Sequence, residues 1–211
     1  TLMLAYQGEP LIRDETAGRP FAWLPEGRSL FRDKRIPRDN LNGLLIPRRG
    51  LGAVLHDLTG MGSPWAQDPP YYATVLGFDS DERMTYVHTR LSDWHGWQHD
   101  RQITFTSDAQ PIVIVDYATG DPHETSRVIW HLGEVAGVGE DRMQLGSQAS
   151  PVEVVWVPWG TQGGLYREQG LDGAWSVSCE GIPGELGWVT ILLRGQWVGV
   201  EVELDSQTGV L

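Results

Sequence analysis

The stretch Trp94–Leu132, WHGWQHDRQITFTSDAQPIVIVDYATGDPHETSRVIWHL, decides how this chain folds. It reads as three consecutive strands at the core of a large antiparallel sheet. Polar and apolar residues alternate through Gln98–Phe105, which places Ile103 and Phe105 on one face and Gln102, Thr104 and Thr106 on the other. Pro111–Val115 is an unbroken apolar run, so it predicts a strand buried on both faces. Asp116 then stands at its end, where a carboxylate can reach water or a partner. Ser126–Leu132 is the third strand. Ser107-Asp108 and Gly120-Asp121-Pro122 separate the three with residues whose backbone preferences suit turns.

The same pattern continues on both sides. Thr1–Tyr6 and Leu11–Asp14 predict a hairpin around Gln7-Gly8-Glu9-Pro10. Gly43–Ile46 and Leu51–Leu55 flank Pro47-Arg48-Arg49-Gly50, and Tyr71–Phe78 and Met84–Leu91 flank Asp79-Ser80-Asp81-Glu82. Later strands are expected at Met143–Leu145, Val152–Val157, Leu165–Arg167, Ala174–Cys179, Trp188–Leu193 and Trp197–Leu204. Thr16–Asn40 and Thr59–Pro70 are broken by glycine and proline and read as long loops. With no helical periodicity, no internal repeat and no flexible linker, the expected fold class is all-β. It is one large antiparallel two-sheet β-sandwich over residues 1–211.

Ten tryptophans, 26 glycines and 13 prolines suit many short strands and tight turns. The aromatics fill a sandwich core or stack on sugar rings, and composition leaves both readings open. Sixteen basic against 28 acidic residues give a net charge of -12. That disfavours nucleic acid and an anionic membrane as partners, because both require a basic footprint. The charge is uneven, however: Arg28, Arg32, Lys34, Arg35, Arg38, Arg48 and Arg49 face only Asp33 and Asp39 in their own stretch. Such a run is a solvated loop or a surface for uronates. Cys179 is the single cysteine, so no disulfide forms within the chain.

His88 and Arg90 alternate with Thr89, and His99 and Arg101 alternate with Asp100, so each pair leaves one face of its strand. If the two strands pair, the four side chains are expected to converge on one surface suited to a carboxylated substrate. The plainer alternative is that Arg90 and Arg101 pair with acids such as Asp93, Asp100 or Asp116. His95 and His99 have H-x-x-x-H spacing, which suits a metal on a helix but not on a strand. Asp79, Asp81 and Glu82 lack the glycine and terminal glutamate of an EF-hand loop and read as a solvated turn.

The order H-x-R (His99, Arg101), apolar strand with aspartate (Ile112–Asp116) and W-H-L (Trp130, His131, Leu132) resembles the β-sandwich region of the heparinase II/III-like polysaccharide lyases. Ala5–Asp14, AYQGEPLIRD, is similar to that family's strand-turn-strand segment, and Asn42–Ile46 to its following strand. The resemblance implies β-elimination on uronate-containing glycans, an acidic polysaccharide or oligosaccharide partner, and a periplasmic or secreted location. It also implies that the chain is a fragment lacking an N-terminal helical (α/α) toroid. The toroid supplies catalytic residues and an H-x-H pair precedes the AYQGEPLIRD-like segment, so the catalytic residues are unknown here and this part alone is expected to be inactive. Asp14 matches an aspartate that joins a structural zinc in some members. Leu41, however, stands where the family has a second histidine ligand. His88, Arg90, His99 and Arg101 are the substrate-binding candidates. A noncatalytic glycan-binding or structural module is the alternative.

Overall fold

A computed structural model describes residues 4–6, 9–12, 43–45, 72–92, 98–106, 110–120, 126–140, 142–147, 151–159, 165–169, 175–181 and 186–202. Numbered along the chain, its strands begin with β1 (Leu4–Tyr6), β2 (Glu9–Ile12), β3 (Gly43–Leu45), β4 (Tyr72–Ser80) and β5 (Met84–Ser92). Next come β6 (Gln98–Thr106), β7 (Ile112–Thr119), β8 (Ser126–His131), β9 (Val135–Val138) and β10 (Arg142–Leu145). The last are β11 (Val152–Trp159), β12 (Leu165–Gln169), β13 (Trp175–Gly181) and β14 (Leu186–Arg194). Every pairing between them is antiparallel.

Eight strands form one sheet in the order β4-β5-β6-β7-β14-β11-β10-β9, and four form a second in the order β12-β13-β8-β3. The chain passes between the two sheets after β3, β7, β8, β11 and β13. That is how a two-layer sandwich buries one apolar face from each sheet. From the large sheet, Ile114, Val154, Trp156, Trp188 and Leu192 point inward; from the small one, Val128, Trp130, Val177 and Cys179 meet them. Burial of each such side chain contributes about 1.5–3 kcal/mol. The sandwich read from the sequence is therefore the observed architecture.

Four details of that reading change. The strand Ser126–His131 lies in the small sheet, not beside β7, because its alternation serves a different layer. Ile112–Thr119 runs past Asp116, which is fully buried and not at an exposed strand end. Trp197–Leu204 was expected as a strand, yet Gly195–Trp197 is a 3-10 turn and 198–202 carry no strand. Gly195 (φ 57°) and Gly199 (φ 84°) adopt left-handed backbone that interrupts any ladder. Trp197 and Val202 pack instead on Val155, Val189, Ile191 and Leu193, covering part of the large sheet's outer face. Strand β9 is short and glycine-containing and was not anticipated.

The expected β1–β2 hairpin forms, but Glu9 and Pro10, read as part of its turn, belong to β2 and pair with Tyr6 and Ala5; the hairpin docks on the end of β8. Ile12 bridges to Leu132, and the Gly133 N–H donates to the Leu11 carbonyl at 2.8 Å. A Cβ on Gly133 would stand 1.8 Å from the Pro10 carbonyl oxygen, so this close approach of two backbones requires glycine. Leu11 and Ile12 are buried as a result.

Candidate functional site

The register of β5 on β6 decides where the sequence-selected residues stand. His88 lies opposite Gln102 and Arg90 opposite Asp100, whereas Thr89 faces Arg101 and Leu91 faces His99. Directly opposed residues share a face. His88 and Arg90 therefore project outward, and His99 and Arg101 project into the sandwich. The four do not converge on one surface, because the alternation of each strand is out of step with the pairing that the sequence suggested.

Inside, Arg101 lies opposite Asp116 on β7, and Asp116 lies opposite Trp188 on β14. Three donors reach the one carboxylate. His99 Nε2 and Arg101 Nε each donate to Oδ1 at 2.6 Å, and Trp188 Nε1 donates to Oδ2 at 3.0 Å. The Arg101 guanidinium also sits 4.1 Å above the Trp130 ring, which belongs to the small sheet. Burial alone would push the Asp116 carboxyl up. The charge of Arg101 and the hydrogen bond and charge of His99 outweigh it and hold the group at about 2. His99, Arg101 and Asp116 are 5, 6 and 0 % exposed, so this cluster ties sheet to sheet from inside the sandwich.

Outside, Asp100 gathers the other pair. Arg90 donates through Nε to Oδ1 at 2.9 Å and through Nη2 to Oδ2 at 3.0 Å, and His88 Nε2 lies 3.1 Å from Oδ1. The hydrogen bond to Asp100, then its charge, raises Arg90 above its ordinary value against a smaller desolvation effect. Of the acids named as partners in the sequence, Asp100 and Asp116 both take that role. The Asp116 pair is buried, not a surface pair.

The acidic turn closes its hairpin: Asp81 Oδ1 accepts the backbone N–H groups of Arg83 and Met84, both at 2.7 Å. These two bonds lower the Asp81 carboxyl. Among the described residues, no group of three His, Cys, Asp or Glu side chains is arranged to hold a metal ion. Asp14, His56, His95, His123 and the basic residues between Arg28 and Arg49 lie outside the described residues. Leu41 has no ligand atom to offer, so the residues do not complete the implied zinc site. His131 is buried on the outer face of the small sheet. Sequence reasoning missed the Trp188 donor and the Trp130 stack. Tryptophan shows its indole N–H as a polar handle only when a buried acceptor is brought to it.

The class so defined is an antiparallel β-sandwich whose layers are joined by a buried Asp–His–Arg–Trp cluster. Solved heparinases share the fold. A heparinase III gene product aligns over 92% of this chain and 30% of its own, with a TM-score of 0.62 at 13% identity. Heparan sulfate lyase HepC from Pedobacter heparinus aligns over 92% and 30%, with a TM-score of 0.56 at 13% identity. Another heparinase III aligns over 91% and 29%, with a TM-score of 0.55 at 14% identity. At this identity the likeness is one of fold, and the chain spans about 30% of the length of the heparinases it matches. No family model matches the chain, and no curated protein matches it in sequence. Among the described residues no helix is long and apolar enough to cross a membrane.

Proposed function

We propose that this chain is the β-sandwich portion of a heparinase II/III-like polysaccharide lyase that cleaves uronate-containing glycans by β-elimination. It forms one wall of the substrate cleft and is inactive alone. The observation that carries this reading is the fold shared with heparinases over nine-tenths of the chain. The meeting of the three sequence motifs supports it: H-x-R, the aspartate of IVIVD and the tryptophan of WHL form one buried cluster. In this proposal an N-terminal helical toroid supplies the remaining catalytic groups, and the enzyme works in the periplasm or outside the cell. His88 and Arg90, on the outer face, are the pair placed to touch glycan, while His99 and Arg101 hold the wall rigid behind it. No step is assigned to zinc.

The test compares the isolated chain with the complete polypeptide on heparan sulfate, following the ultraviolet absorbance of unsaturated uronate. Activity is expected of the complete polypeptide alone. Product released by the isolated chain would overturn the division of labour. A complete polypeptide without activity would overturn the lyase reading in favour of a noncatalytic glycan-binding or structural module.

A further inference from the structure

Toward the β4 edge of the large sheet, burial falls away strand by strand. In one row Ile103 on β6 stands beside Val87 on β5, and Val87 beside Phe78 on β4. In the next row Arg101 stands beside Thr89, and Thr89 beside Val75. Directly opposed residues share a face, so both rows belong to the face that Ile103 and Arg101 turn into the sandwich. Exposure climbs along the first row from 8 % at Ile103, through a half-buried Val87, to 68 % at Phe78. It climbs along the second from 6 % at Arg101 to 63 % at Val75. Phe105, two residues along β6 from Ile103 and on the same face, is also exposed. These are core-facing positions without a core above them.

The second layer stops short of this face. Trp130 on β8 covers Arg101 on β6, and β13 approaches β14. The order β13-β8-β3 therefore advances in the same direction as β14-β7-β6-β5-β4, and β3 is the small sheet's edge on the β5 side. β3 pairs with β8 along one side, and among the described residues no strand pairs with the other. A further strand there would lie about 4.8 Å beyond β3, over the uncovered face of β5 and β4.

We infer that the apolar face of β4 and β5 is the docking surface of Leu51–Leu55, a segment outside the described residues, which joins the small sheet beside β3. Chain connectivity selects this occupant. β3 ends at Leu45 on the edge of one sheet and β4 begins at Tyr72 on the edge of the other, so the intervening chain leaves and returns at the two borders of the uncovered face. Pro47–Gly50 has the length of a four-residue hairpin loop, which sets the next strand antiparallel beside the one it leaves. β8 already occupies the other side of β3. In a strand, Leu51, Ala53 and Leu55 share one face, and that face is the apolar cover that Val75, Phe78, Val87 and Phe105 need. His56–Tyr71 is long enough to return across the ~10 Å between the layers. A second copy of the chain is a poorer match. The exposed apolar area is on the order of a few hundred Å², against about 800 Å² per partner in a stable complex.

The experiment is NMR on the isotopically labelled chain. Successive residues of an antiparallel strand direct their N–H groups to opposite neighbours, so some β3 amides bond to β8 and the others point away from it. Both sets are expected to resist hydrogen exchange. Nuclear Overhauser contacts are expected between the Leu51 and Leu55 methyl groups and the Phe78 and Phe105 rings. Leu51→Asp/Leu55→Asp should speed exchange at the β3 amides that point away from β8 by about tenfold or more, while the amides between β13 and β8 keep their wild-type rates. If that variant does not fold, the wild-type protection and contacts decide alone. Protection on the β8 side of β3 only, absence of the methyl-to-ring contacts, or unchanged exchange in the folded variant would each overturn the inference. Contacts found only between differently labelled copies would assign the face to a second copy, and contacts from elsewhere in the complete polypeptide would assign it to another part of the protein; either result overturns it.

Discussion

Replacing Asp116 by Asn should cost this fold about 3–5 kcal/mol, the penalty for leaving a buried charge without its partner. The geometry shows why a nearly isosteric change is so severe. Three N–H donors converge on the two carboxylate oxygens, from His99, Arg101 and Trp188. An amide offers one acceptor oxygen, so an N–H must face another N–H, and Arg101 keeps its charge in a site only 6 % exposed. The pH dependence gives a second measure. Folding lowers the Asp116 carboxyl from 3.8 to about 2, a difference worth about 2 kcal/mol. Because the folded state binds the proton less tightly, this stability is complete above 3.8 and is lost as pH falls through about 2. Urea unfolding followed by tryptophan fluorescence should therefore show wild type losing that share between neutral and strongly acid pH. Asp116→Asn should be weak at neutral pH and lack this component. Arg101→Ala should also lower stability, with activity per folded molecule of the complete polypeptide intact. The double variant Arg101→Met/Asp116→Leu should recover part of the loss by removing both charges, while the buried N–H groups of His99 and Trp188 stay without their acceptor. If Asp116→Asn unfolds within about 0.5 kcal/mol of wild type, an ordinary surface-like effect, the cluster does not hold the sheets together.

Gly133→Ala should release the β1–β2 hairpin, since its Cβ cannot coexist with the Pro10 carbonyl. Loss of Leu11 and Ile12 burial should cost about 3 kcal/mol or more, and amide exchange at Leu11 and Ile12 should accelerate; protection equal to wild type would refute the docking. Cys179 is buried, and burial, with the charge of Glu180 adding, pushes its thiol up to about 11. It should resist iodoacetamide at mildly alkaline pH until the chain unfolds, and rapid labelling of the folded protein would show that the small sheet opens.

The strands were largely legible because their signals are local. Alternation at Gln98–Phe105, the apolar run at Pro111–Val115 and the turn residues between strands mark β structure without knowledge of any partner. The resemblance carried by H-x-R, IVIVD and WHL also pointed to the fold that the structural comparisons share. Trp197–Leu204 misled because an alternating pattern does not show how glycines such as Gly195 and Gly199 are set: each permits a strand and equally permits the turn that forms.

The candidate site divides along the same line. The amino-acid order alone established that His88 and Arg90 share a face and that His99 and Arg101 share a face, because side chains alternate with a period of two. Which pair faces the core was decided by pairing. A shift of one residue in the β5–β6 register would exchange inside for outside, and nothing local to either strand fixes that register. The packed sheets resolve it: Arg101 has a place only where Asp116 from β7 and Trp130 from the opposite layer meet it. That meeting joins positions 101, 116, 130 and 188 from four strands in two sheets. Only the tertiary structure could make an internal lock of residues that, read along the chain, looked like a substrate surface.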